Sequence, residues 1–221
     1  MTTAMNLDPG PTMIRVLLLD DHAVVRDGYR RWIGSEPDME VVAEAATSAQ
    51  ACEALRHHEV DVAVVDLSLK GDSGMEAIRR LRERDERLRI LVFTMHDQPA
   101  FMLQAMRLGV QGYLTKDCDP AAVIAALRRI AAGQRVFNAE VAQASLNQVD
   151  AGLDPFSHLT PREFEVLRLA TSGLDHEAIA RSLHISEKTV YNTMSRVRQK
   201  LDERNDFRLM RLATERGLTG P

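Results

Sequence analysis

At 221 residues, 45% of them hydrophobic, with a formal net charge of −4, the chain has the apolar content for one or two packed cores, and it does not read as a disordered protein. No stretch approaches about eighteen consecutive apolar residues, and Met1–Pro11 lacks a basic segment leading into an apolar one, so neither a membrane span nor a secretory leader is expected and the protein reads as cytoplasmic. Cys52 and Cys118 match no metal-ligand spacing and read as reduced structural thiols. Charge is uneven along the chain: residues 1–133 carry 16 Lys and Arg against 20 Asp and Glu, residues 134–157 carry 1 against 3, and residues 158–221 carry 11 against 9. The last part is the basic one, and the placement of its cations must decide whether it meets nucleic acid.

In chain order, residues 1–12 read as a disordered extension. Ile14–Leu19 is an apolar strand that ends in Asp20 and Asp21. A helical pattern over Ala23–Gly34, an alternating strand over Glu40–Ala45 and a helix over Ser48–His57, with Ser48 as N-cap, follow. Val60–Asp66 is Val or Ala at five of seven positions, as in a strand buried on both faces of a parallel sheet, and it delivers Asp66 to its carboxyl end. The loop Leu67–Gly74 is polar and glycine-punctuated. Beyond it come a helix over Gly74–Arg84, a strand over Arg89–Thr94, a helix over Gln98–Leu108, a strand over Gly112–Thr115 and a helix over Pro120–Ala132. Five such βα units imply a doubly wound parallel sheet with helices on both faces.

In open sheets of this kind ligands sit at the carboxyl ends of the strands. Asp20, Asp21 and Asp66 converge there, and three like charges need a cation; an all-oxygen set suits Mg²⁺. Thr94 ends the fourth strand and Lys116 follows the fifth, a hydroxyl and an ammonium able to hold phosphate oxygens.

Asp20-Asp21, Asp66 with Gly71 and Gly74 after it, Thr94, Tyr113 and Lys116 resemble the phosphoacceptor site of receiver domains of two-component response regulators, over residues 13–133. The resemblance implies a flavodoxin-like sheet in the order 2-1-3-4-5, with Asp66 phosphorylated by a partner sensor histidine kinase. It further implies Mg²⁺ held by Asp21, Asp66 and the Ser68 carbonyl, with Asp20 supporting the ion through water. Lys116 and Thr94 would hold the phosphoryl oxygens, with Thr94 and Tyr113 as switch residues. Lys70 departs from the family, which usually has proline there.

Residues 134–157 mix an Ala-rich stretch with Gly, Asp and Pro and read as a linker with a loose helix inside. Thr160-Pro-Arg-Glu163 then forms a capping box opening a helix to about Ser172. A helix over Asp175/His176–Leu183, a tight turn His184–Ser186 and a helix over Glu187–Leu201 come next, then a last helix over Phe207–Arg216. Val190, Met194, Val197 and Leu201 form one apolar stripe, which leaves Lys188, Tyr191, Asn192, Ser195 and Gln199 on the opposite face, flanked by Arg196, Arg198 and Lys200. That is a helix-turn-helix whose second helix enters the major groove of double-stranded DNA. Nearly all of residues 158–217, within a domain read as 158–221, is similar to the LuxR-type helix-turn-helix, and joined to a receiver it resembles the NarL/FixJ class of response regulators. Tyr191 and Thr193 stand where that class often has lysine and histidine, which implies a weaker grip on phosphate. The resemblance also implies that the last helix pairs two DNA-binding domains, giving a homodimer when phosphorylated.

The reading is therefore a phosphorylation-controlled transcription factor rather than an enzyme. The alternatives are a regulator that binds DNA or a protein partner regardless of phosphate, and an enzyme turning over an aspartyl phosphate. Ser68, where an acid would favour the enzyme, speaks against the last.

Overall fold

The computed structural model describes residues 13–137, 155–203 and 205–218. The first part alternates β1 (Ile14–Leu19), α1 (Ala23–Gly34), β2 (Met39–Ala45), α2 (Ser48–His57), β3 (Val62–Val65), α3 (Gly74–Arg84), β4 (Arg89–Thr94), α4 (Pro99–Arg107), β5 (Gly112–Thr115) and α5 (Pro120–Ala131). The strands pair in parallel in the order β2-β1-β3-β4-β5. All four residues of β3 are buried, because helices cover both faces and no alternation is needed. The order reverses between β1 and β3, and at such a switch point the adjoining loops part to leave a crevice. Asp20 and Asp66 stand on either side of it.

Several boundaries differ from those read in the sequence. Thr47, not Ser48, caps α2: its extended backbone lets Oγ1 accept from the Gln50 N–H. Ser48 is the first helical residue, buried, and its hydroxyl accepts from Arg80. β3 is shorter than the Val60–Asp66 run, so Asp66 is the first residue beyond it. α4 begins at Pro99 with Gln98 extended before it, as the ring of a following proline disfavours helical backbone.

Residues at both ends of the expected linker are built into the fold. Val136 bridges β5, accepting from Tyr113 N–H and donating to Gln111 O. Pro155–His158 forms a 3-10 turn that buries Phe156. The loose helix expected between them, and residues 1–12, lie outside the described residues.

Four helices make the second part: α6 (Pro161–Thr171), α7 (His176–Ser182), α8 (Glu187–Lys200) and α9 (Asp206–Glu215). The capping box at α6 is formed as read, with Thr160 and Glu163 bonding reciprocally. Val190, Met194 and Val197 of α8 are buried against α6 and α7, each contributing about 1.5–3 kcal/mol of burial. Leu209 of α9 is buried as well, while Phe207 and Met210 face outward.

The two parts share one apolar cluster. Phe101 of α4 meets Phe164 of α6 edge to face at 5.4 Å, and Gln104 Nε2 donates to Phe156 O across 2.6 Å.

Candidate functional site

Four strand ends supply the polar groups of the crevice. Register sets the first pair: Leu19 lies opposite Val65, and the Asp66 N–H donates to Leu19 O across 2.9 Å, so Asp20 and Asp66 are neighbours. Lys116, reached from β5, donates through Nζ to Asp20 Oδ2 at 2.7 Å and to Asp66 Oδ2 at 2.6 Å. All three side chains are nearly buried. Two carboxylates that close repel strongly in a medium of low dielectric, and the ammonium between them removes the penalty. Burial opposes the lysine's charge, but its bonds to Asp20 and Asp66 outweigh that and hold its pKa above the ordinary lysine value.

Asp21 is differently placed. Both its carboxylate oxygens are buried without a hydrogen-bond partner; His22 Nδ1 at 3.1 Å and Lys70 Nζ at 3.7 Å stand at ion-pair distance only. A buried carboxylate left so costs several kcal/mol unless a cation meets it. Asp20, Asp21, His22 and Asp66 each offer a ligand atom, all within 4.8 Å of one another. Asp20 is already engaged, by Lys116 on one oxygen and the His22 N–H on the other. The two unpartnered oxygens of Asp21, with the Asp66 carboxylate beside them, fit a hard divalent ion with water completing its shell, as Mg²⁺ requires.

The pocket's walls are oriented too. Ser68 N–H donates to Asp66 Oδ1 across 3.1 Å. Thr94 is fully buried beside the pocket. Tyr113 is buried and its hydroxyl donates to His96 O across 2.7 Å; burial first, then the Asp97 and Asp66 charges, pushes that phenol well above its usual value, so it stays a donor. The ring therefore already lies inside.

His96 was invisible as a site residue in the sequence. Its Nε2 lies 3.1 Å from Ser68 Oγ, and its ring stacks on Phe101 at 4.1 Å. Burial and the nearby Arg168 charge hold the imidazole below the ordinary histidine value. A histidine in the loop after a strand carries no pattern; only the fold brings it to Ser68.

On α8, Lys188, Tyr191, Asn192, Ser195, Arg196 and Gln199 are all exposed on one face. Two of the flanking cations are engaged within the domain: Arg198 is bound to Asp206, and Lys200 to Glu163 and His158 O. Thr193 is buried, its hydroxyl donating to Thr189 O across 2.8 Å. Its departure from the class therefore bears on packing rather than on the exposed face of α8.

Comparison with known proteins agrees with this geometry. Residues 16–128 match the response regulator receiver domain and residues 157–213 the luxR family of bacterial regulatory proteins. The chain is 34% identical over 209 residues to the response regulator UvrY of Escherichia coli (strain K12), covering 93% of this chain and 96% of that one. To the nitrate/nitrite response regulator protein NarP of the same organism it is 36% identical over 199 residues, covering 89% and 93%. Among solved structures, RcsB from Salmonella enterica serovar Typhimurium bound to promoter rprA with the phosphomimetic BeF₃⁻ matches at a TM-score of 0.64 and 26% identity, over 92% of this chain and 99% of that one. A LuxR-family two-component response regulator from Aurantimonas sp. SI85-9A1 matches at a TM-score of 0.58 and 43% identity, over 62% and 98%.

The chain belongs to the response regulators of the NarL/FixJ class, a receiver followed by a LuxR-type helix-turn-helix. Such a protein regulates transcription by phosphorylation-dependent DNA binding.

Proposed function

We propose that Asp66 is the phosphoacceptor and that residues 13–133 form the receiver, 134–157 the linker and 158–221 the DNA-binding domain. The observation that carries this is the triad of Asp66, Lys116 and Asp20 at 2.6 and 2.7 Å beside the unpartnered carboxylate of Asp21. An Asp66 oxygen attacks the donor phosphorus in line; the P–N bond of a phosphohistidine on a sensor histidine kinase breaks, and the imidazole leaves with the electron pair. Lys116 passes from the Asp66 carboxylate to the phosphoryl oxygens, and the Thr94 hydroxyl donates to them. Asp21, Asp66 and the Ser68 carbonyl would hold Mg²⁺, Asp20 supporting it through water; when bound, the ion supplies positive charge to the phosphoryl group.

The receiver is thus a stoichiometric acceptor rather than a turnover enzyme. Lys188 and Arg196 contact DNA phosphates, while Tyr191, Asn192, Ser195 and Gln199 face the base edges, Asn192 and Gln199 with the side-chain amides that pair with adenine. Exposed Phe207 and Met210 on α9 are the surface through which two phosphorylated copies associate as a homodimer. No helix among the described residues is long and apolar enough to cross a membrane; a kinase and duplex DNA as partners place the work in the cytoplasm. Incubation with Mg²⁺ and acetyl phosphate, followed by intact mass and by footprinting before and after, tests the reading. One phosphoryl group per chain with a stronger footprint is expected; no adduct with an unchanged footprint would favour a phosphate-independent regulator.

A further inference from the structure

The loop after Asp66 is met at Gly71 by the other domain, while Ser68 and Lys70 stay exposed. Gly71 takes φ +71, and a Cβ placed on it would lie 2.0 Å from Cδ2 and 3.3 Å from Cγ of His184. His184 itself takes φ +49 in the turn between α7 and α8. The helix-turn-helix therefore rests its turn on the acceptor loop. The docking is held to one side by the contacts of Phe101 with Phe164 and Gln104 with Phe156 O, and by Arg168 lying 6.0 Å over the Phe101 ring.

Between the domains a cleft of about 550 Å³ remains, walled by Ser68, Lys70 and His96 on one side and Arg168, Arg181 and His184 on the other. Lys70 is exposed, its ammonium 3.7 Å from Asp21 Oδ2 at the mouth of the acceptor pocket; Arg168 and Arg181 are each tied to one acid of their own helix, Glu165 and Glu177. A space of this volume takes a small ligand. A protein donor is another matter. A single helix with its side chains is about 10–12 Å across, and a specific protein contact needs about 800 Å² on each partner. The acceptor loop would have to supply part of that area, and His184 lies on it.

We infer that the docked LuxR-type domain filters phosphodonors by size: Asp66 accepts from a small acyl phosphate entering by the cleft, and from a phosphohistidine protein only once the domains part. This rests on Asp66 being the acceptor. In the small-donor reaction the Asp66 oxygen bonds to phosphorus and the P–O bond to the acyl group breaks, the carboxylate leaving with the pair. The DNA-facing side chains of α8 are exposed in the docked form, so docking gates phosphorylation rather than hiding the reading surface.

A reversible lock tests this. A cysteine sulfur at 184 falls near the present Cγ, 3.3 Å from a Cβ at 71, and a disulfide spans about 3 Å from Cβ to the far sulfur. The full chain carrying G71C and H184C, with Cys52→Ser and Cys118→Ser, is compared oxidised and reduced. The donors are acetyl phosphate with Mg²⁺, and an autophosphorylated histidine-kinase fragment selected because it labels the reduced protein. Acetyl phosphate should label both forms at the same rate, while the kinase fragment labels the oxidised form at least about tenfold more slowly, as removal of the open fraction demands. In the otherwise natural chain, Gln104→Ala should loosen docking and speed the kinase fragment alone. Equal kinase rates in the two redox forms would overturn the filter, as would equal loss with both donors or an unchanged donor ratio in Gln104→Ala. Absence of label from every donor, in the reduced and natural chains alike, would instead refute Asp66 as acceptor.

Discussion

The proposed acceptor pocket and the proposed DNA-reading face of α8 solve opposite problems. The pocket gathers Asp20, Asp66 and Lys116 from three separate strand ends and buries them, so each charge depends on another. The reading face takes its residues from one helix and leaves them in water, where each acts nearly alone. Coupled buried charges fail together, whereas exposed side chains fail one at a time.

Substitutions at the two places should differ accordingly. The largest effect is expected for Asp66→Asn, which removes the proposed nucleophile: phosphoryl label by intact mass falls from one per chain to none, and persisting label would place the acceptor elsewhere. Lys116→Met leaves Asp20 and Asp66 facing one another and takes a cation from the phosphoryl oxygens. Labelling by acetyl phosphate should slow about 100-fold, the usual loss for one buried electrostatic donor, whereas a rate near that of the natural protein would show the lysine to be structural only.

At the reading face the effects shrink. Asn192→Ala should cost about 1–3 kcal/mol at one base position and leave the others, as a panel of single-base operator variants would show; an equal loss at every position would remove its role as a reader. Arg196→Ala should weaken all sequences alike and lower the slope of log affinity against log salt by about one. An unchanged slope would mean that this cation does not meet phosphate.

The smallest effect concerns pH. Burial of Glu163 works against its charge, but Lys200 and the Thr160 cap more than offset that and hold its carboxyl below the usual range. A depressed folded value means that the stabilisation is present above the unfolded value of about 4.3 and is lost as pH falls through the folded value. Acid unfolding of the natural protein should therefore be steeper below about pH 4.3 than that of Glu163→Gln; identical profiles would show that the Lys200 pair adds nothing.

Much of this was readable in advance because it depends on local pattern. The continuous apolar run around Val62–Val65, the capping box at Thr160 and the stripe Val190, Met194, Val197 need only near neighbours along the chain, and the carboxyl edge of a parallel sheet follows from βα alternation. Boundaries such as Thr47 in place of Ser48 at α2 were not readable, since adjacent hydroxyls compete for one cap and packing against Arg80 decides between them.

By itself the amino-acid order determined which elements form, which acids and which lysine stand at the strand ends, and which face of α8 is polar, because these follow from residue periodicity and strand direction. Only the tertiary structure decided that Arg198 and Lys200 are spent on Asp206 and Glu163, that Thr193 points inward, and that His96 and His184 come to the acceptor loop. Those contacts join residues far apart along the chain through single side chains, and such pairings leave no repeat for a reader of sequence to follow.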